Sequence, residues 1–134
     1  MANRYGEAAI MVARQGGSNP ADSWEKAMAK LYPTSPMARK KGGPRSAFLG
    51  LCEEGLVKGI PAGHYAKSSA RENKSYAVKA VALLLEGTQR WSSSALWQAV
   101  TEDTELQQNH QMDVVLALWN NDLIVGKPEA PAAV

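Results

Sequence analysis

The side chains able to do nucleophilic or acid–base chemistry are few and sit close together. Cys52 is the only cysteine of the 134-residue chain; Glu53 and Glu54 follow it, and His64 comes in the next turn, with His110 the only other histidine. A cysteine nucleophile needs a base to form the thiolate and a third group to orient that base. Neighbouring carboxylates work against this, because they raise a thiol pKa. Cys52 also falls in an apolar seam with Phe48 and Leu51, where a cysteine is most simply a buried hydrophobe. The sequence therefore predicts a core Cys52 and a satisfied or solvated His64. Cys52, His64 and His110 contain no pair at metal-ligand spacing, so no metal site is expected. Glu53 and Glu54 end a helix, where negative charge is unfavourable. We expect them to pair with Lys58 or Arg45. The competing reading is a polar site of Glu53, Glu54 and His64 that binds a partner or acts as a general base.

The second chemical feature is positive charge. Residues 39–79 hold nine basic side chains (Arg39, Lys40, Lys41, Arg45, Lys58, Lys67, Arg71, Lys74 and Lys79) against three acidic ones, whereas residues 80–134 hold two against seven. The net charge of +2 hides this split. A basic centre marks a surface for anions, and Arg39, Lys40, Lys41, Arg45, Lys67, Arg71 and Lys74 are the candidate contacts. No phosphate-binding loop, dinucleotide fingerprint or nucleophile elbow occurs, and no cofactor is expected. A helix-turn-helix starting at Pro44 fails, because Gly59, Pro61 and Gly63 would break its recognition helix.

The elements that position these residues read as helices. Tyr5, Ala8, Ala9 and Val12 form one apolar stripe in a helix over about 4–15, closed by Gly16-Gly17. Asn19-Pro20 opens a second helix, with Trp24, Ala27, Met28 and Leu31 on its inner face and Pro33 ending it. Residues 33–43 read as a loop. Pro44 opens a central helix to about Glu54, in which Gly50 implies close approach of a neighbour, and Gly55 and Leu56 form its C-terminal turn. A long helix over 71–86 has an apolar band wide enough for it to be largely buried. Shorter helices follow after Ser92–Ser94 and over about 110–120, with Leu123–Val125 free to pack back on the body. Trp91, beside Arg90, is the tryptophan expected to be partly exposed. No strand alternation and no repeat at a fixed period are visible.

Several stretches carry a resemblance. Tyr5-Gly6-Glu7-Ala8-Ala9, Trp24-Glu25-Lys26-Ala27, Ala47 to Ile60 and Tyr76 to Val81 resemble a family of small bacterial proteins known only as a domain of unknown function. It spans roughly residues 5–86. The resemblance implies a self-contained domain and adds nothing on mechanism.

The sequence thus predicts an all-α, compact orthogonal bundle of five to six short helices over residues 1–125, with a disordered tail over 126–134. One cysteine and no long apolar segment point to a cytoplasmic chain without a membrane anchor. Three functions compete. The first is a non-catalytic binding domain whose basic segment engages an anion, with nucleic acid favoured over an acidic protein surface. Next comes an adaptor or homo-oligomer, in which the basic middle of one chain meets the acidic C-terminal third of another. An enzyme using Cys52 or His64 comes last.

Overall fold

The computed structural model describes residues 4–40, 42–65, 71–87, 90–101 and 110–126, without the side chains of 71–73. Its helices are α1 (Arg4–Gln15), α2 (Pro20–Leu31), α3 (Pro36–Arg39), α4 (Gly42–Glu53), α5 (Arg71–Glu86), α6 (Ser93–Thr101) and α7 (Gln111–Asn120). The described residues contain no strand beyond one isolated antiparallel bridge, Val57 to Ile124. The chain is an all-α bundle. Of the disordered tail expected over 126–134, Gly126 is described, in a turn at φ +91°, and 127–134 lie outside the described part.

Local chemistry sets the helix ends. In α2 the Asn19 side chain accepts a hydrogen bond from the Asp22 N–H at 3.3 Å, and Pro20 occupies the first turn. The same device builds a helix within residues 33–43, where composition points to a loop. Ser35 Oγ accepts from the Ala38 N–H at 3.4 Å and Pro36 follows it, giving the one-turn helix α3. Helix α4 begins at Gly42, two residues before the proline expected to open it. Its end is a paired turn: the Leu56 N–H reaches the Leu51 carbonyl and the Gly55 N–H the Cys52 carbonyl, both at 3.0 Å. Gly55 has φ +69°, a conformation cheap only for glycine.

Helix α4 is the hub. Apart from Arg45, every residue from Gly43 to Cys52 is buried, and the helix packs against α5, α7 and α2. The Phe48 ring stacks on Trp24 with centroids 5.2 Å apart. A Cβ on Gly50 would come within 2.6 Å of Lys74 Cβ and Cγ and 2.9 Å of its Cα. Only glycine lets α4 and α5 cross this closely. Helix α5 is less buried than its composition predicts. Ala77, Ala80, Val81 and Leu84 face the core, while Leu85 is 37% exposed. The apolar band is wider than the surface available to cover it.

The structure also shows a correspondence that the sequence reading missed. The second half of the bundle repeats the first. Tyr5 and Gly16 of α1 correspond to Tyr76 and Gly87 of α5, with both glycines near φ +70° (+70° and +68°). The Asn19 cap and buried Trp24 of α2 match the Ser92 cap, whose Oγ accepts from the Ala95 N–H at 3.1 Å, and the buried Trp97 of α6. After α4 comes Gly55-Leu56-Val57-Lys58-Gly59; after α7 comes Asp122-Leu123-Ile124-Val125-Gly126. The α7 end repeats the paired turn, with Leu123 N–H to Leu118 O at 2.9 Å, Asp122 N–H to Trp119 O at 3.2 Å, and Asp122 at φ +59°. The two hooks then pair reciprocally: Lys58 N–H donates to Leu123 O and Val125 N–H to Leu56 O, both at 2.8 Å. Helix α1 packs on α7, α5 on α4, and α4 on α7, so exchanging the halves maps these pairings onto one another, while the packing of α5 on α7 has no equal between α1 and α4. The segment of the second half that would match α3, residues 102–109, lies outside the described residues.

Candidate functional site

The residues expected to do chemistry separate into two charge clusters with different surroundings. The first lies at the α4–α5 crossing. Because Gly50 brings Lys74 against α4, the Lys74 ammonium sits 3.1 Å from Glu53 Oε1 and 3.5 Å from Glu54 Oε2. The carboxylates therefore pair with Lys74 of α5, not with Lys58 or Arg45. The Glu53 side chain is only 8% exposed, and its other oxygen accepts the Tyr65 N–H at 2.8 Å. The hydrogen bond to Glu53, then the charges of Glu53 and Glu54, hold the Lys74 pKa above its ordinary value despite partial burial. Tyr65 in turn bonds Pro61 O through its hydroxyl at 2.5 Å, and the Gly63 N–H reaches Glu53 O at 3.2 Å. Glu53 thus ties a helix, its crossing partner and the following loop together. It is a brace.

Within this cluster Cys52 is fully buried. Burial first, and the Glu53 charge second, push its thiol well up. A protonated thiol without solvent access is neither a nucleophile nor a redox group at neutral pH. His64 lies exposed in the loop beyond Gly63, and the structure does not bring it to Cys52, Glu53 or Glu54 through any hydrogen bond or ion pair.

The second cluster lies where α2, α3 and the start of α4 meet. Glu25, Pro36, Arg39 and Lys40 line an open cleft of about 300 Å³. Arg45, the one buried-face interruption of α4, donates to Glu25 Oε1 from its Nε at 3.2 Å, with side-chain exposures of 28% and 57%. Arg39 and Lys40 make no ion pair among the described residues. Met37, beside them, is 86% exposed. Of the seven predicted basic contacts, this corner gathers Arg39, Lys40 and Arg45, while Lys74 is held at the α4–α5 crossing. Lys41 and Lys67 lie outside the described residues, as does the side chain of Arg71.

Sequence reasoning missed a third cluster, built from parts distant in the chain. His110 opens α7 with φ +65°. Its ring lies 4.9 Å from that of Tyr5, and its Nδ1 is 2.9 Å from Asp113 Oδ2. The Tyr5 ring is 5.3 Å from that of Tyr32, which carries the Arg4 guanidinium 5.4 Å above it. The Tyr5 hydroxyl donates to Ala38 O at 3.1 Å. Burial, then Tyr32, raise the Tyr5 pKa. These contacts clasp α1, α3 and α7 together and fix the base of α3. Only tertiary contact assembles the cluster, so no local spacing could announce it.

Fold and site together define a small helical domain with one lysine braced at the α4–α5 crossing and three basic residues gathered at the α2–α3–α4 corner. The chain belongs to a family of unknown function (DUF6979), whose model matches residues 2–125. The match takes in the sequence resemblance and extends it through α7 and the second hook. No curated protein and no solved structure matches the chain. Among the described residues, no helix is long and apolar enough to cross a membrane.

Proposed function

We propose that the protein is a non-catalytic binding domain whose α2–α3–α4 corner engages an anionic partner, nucleic acid in the first instance. One observation carries this reading. Arg39 and Lys40 stand side by side on the rim of an open cleft with no carboxylate paired to either among the described residues. Unpaired cations there can take phosphate oxygens by charge-assisted hydrogen bonds, and each phosphate contact releases counterions, so binding falls steeply with salt. Buried Cys52 supports the non-catalytic part of the reading, since it removes the chain's only thiol from solvent.

The test is fluorescence anisotropy with a labelled 20-mer of deoxythymidine and a labelled 20-base-pair duplex in 50 mM salt. Wild type should bind at least one of them, and the Arg39→Glu/Lys40→Glu variant should lose that binding with its melting temperature unchanged. If wild type retains neither probe, the reading is wrong.

A further inference from the structure

The basic corner contains a carboxylate that the fold does not require. Glu25 lines the same cleft as Arg39 and Lys40 and holds Arg45 at 3.2 Å. The internal correspondence shows how the same helices look without this pair. Aligning the α2 and α6 caps and tryptophans puts Gln98 at the position of Glu25, and aligning the two hooks puts Met112 at that of Arg45. Helix α6 still packs on α7 in the second half, as α2 packs on α4 in the first. No ion pair is needed to make that packing, and one so exposed contributes little to stability.

We propose that Glu25 is a built-in competitor at the anion-binding corner. It holds the Nε–H of Arg45 in the free protein and weakens that residue's pull on a phosphate. The proposal rests on the reading of the corner as an anion site, and it names the residue that sets the threshold for entry. The Glu25 carboxylate takes the Nε–H of Arg45 and offsets its charge, so an incoming phosphate competes with Glu25 for the same guanidinium. Close by, Glu25 also repels anions from Arg39 and Lys40. The corner therefore favours a partner carrying several phosphates in a row, which can engage Arg39 and Lys40 first and displace Glu25 afterwards. A lone monovalent anion gains little.

The experiment compares wild type, Glu25→Gln and Glu25→Gln/Arg45→Met on the labelled 20-mer of deoxythymidine, from 50 to 200 mM salt. Gln and Met are the counterpart residues, so both variants should keep the wild-type circular dichroism and melting profile. Releasing Arg45 adds one phosphate contact, so Glu25→Gln should bind on the order of fivefold tighter, with a log–log salt slope steeper by about 0.7. Adding Arg45→Met should cancel the extra slope. If Glu25→Gln matches wild type in affinity and slope while Arg39→Glu/Lys40→Glu abolishes binding, the corner is an anion site and the competitor role is overturned. If neither wild type nor Glu25→Gln binds, both fail together.

Discussion

The two halves of the bundle solve the same packing problem with different residues. Both halves have a tyrosine-bearing helix closed by a left-handed glycine, a side-chain cap followed by a buried tryptophan, and a central helix ending in a hook. What they share is what the fold needs. Three of their differences bear on packing and charge. Where α4 has Gly50, α7 has Ala117. Glu53 and Glu54 of the first hook correspond to Asn120 and Asn121. The connector before α4 holds α3 with Arg39 and Lys40, whereas the segment before α7 holds Glu102, Asp103 and Glu105 and lies outside the described residues. One difference tightens a crossing and another exposes charge. Positive residues that look alike in sequence therefore have opposite fates: Lys74 is held by two carboxylates, and Arg39 and Lys40 by none among the described residues.

Exchanging residues between the halves probes the tight crossing hardest. Gly50→Ala introduces the counterpart's methyl group 2.6 Å from Lys74 Cβ. Overpacking typically costs 1–3 kcal/mol and can exceed that. Here the obstacle includes the Lys74 backbone, so a net loss of about 2 kcal/mol is expected, after roughly 1 kcal/mol gained in helix propensity. Urea unfolding would show it. Ala117→Gly should cost less, about 1 kcal/mol, mostly propensity. A neutral or stabilising Gly50→Ala would mean that the two crossings are alike.

The brace itself comes next. Lys74→Met should cost about 1–2 kcal/mol at pH 7, because it removes a charged partner from a Glu53 side chain that is only 8% exposed. The pH dependence has a definite sign. Folding raises the Lys74 pKa above its ordinary 10.5, so the native state binds the proton more tightly. The contribution is complete below about pH 10.5 and is lost as pH rises through the folded value. Tyr5, also raised, adds a loss of the same sign. Melting temperatures of wild type and Lys74→Met should therefore converge above pH 10.5. A gap that stays constant to pH 12 would assign the loss to packing.

Much of this fold was legible from local pattern. The bounds of α1 and α5, and the apolar faces of α1 and α2, follow from spacing and caps, and Gly50 correctly announced a close neighbour. Helix α3 was missed although Ser35-Pro36 repeats the cap-and-proline signal of Asn19-Pro20. Four residues are too few to show a period. The duplication was hidden because its landmarks are offset by differing amounts, with Tyr5 matching Tyr76, Trp24 matching Trp97 and Val57 matching Ile124. Its left-handed position is also filled by Gly55 in one copy and Asp122 in the other. The partner of Glu53 could not be read at all. Lys74 reaches it only because two helices distant in the chain cross at Gly50. The basic segment was visible, but tertiary structure alone separates its braced lysine from its available residues.

The most direct measurement of that separation is a parallel salt titration of oligonucleotide affinity for wild type, Arg39→Ala/Lys40→Ala and Lys74→Met, with each melting temperature recorded. Removing the two cleft residues should flatten the log–log slope by about 1.4, two contacts at 0.7 each, with stability changed by no more than about 0.5 kcal/mol. Lys74→Met should lower the melting temperature and leave the slope untouched. If Lys74→Met flattens the slope while Arg39→Ala/Lys40→Ala leaves it unchanged, the division between braced and available charge is contradicted.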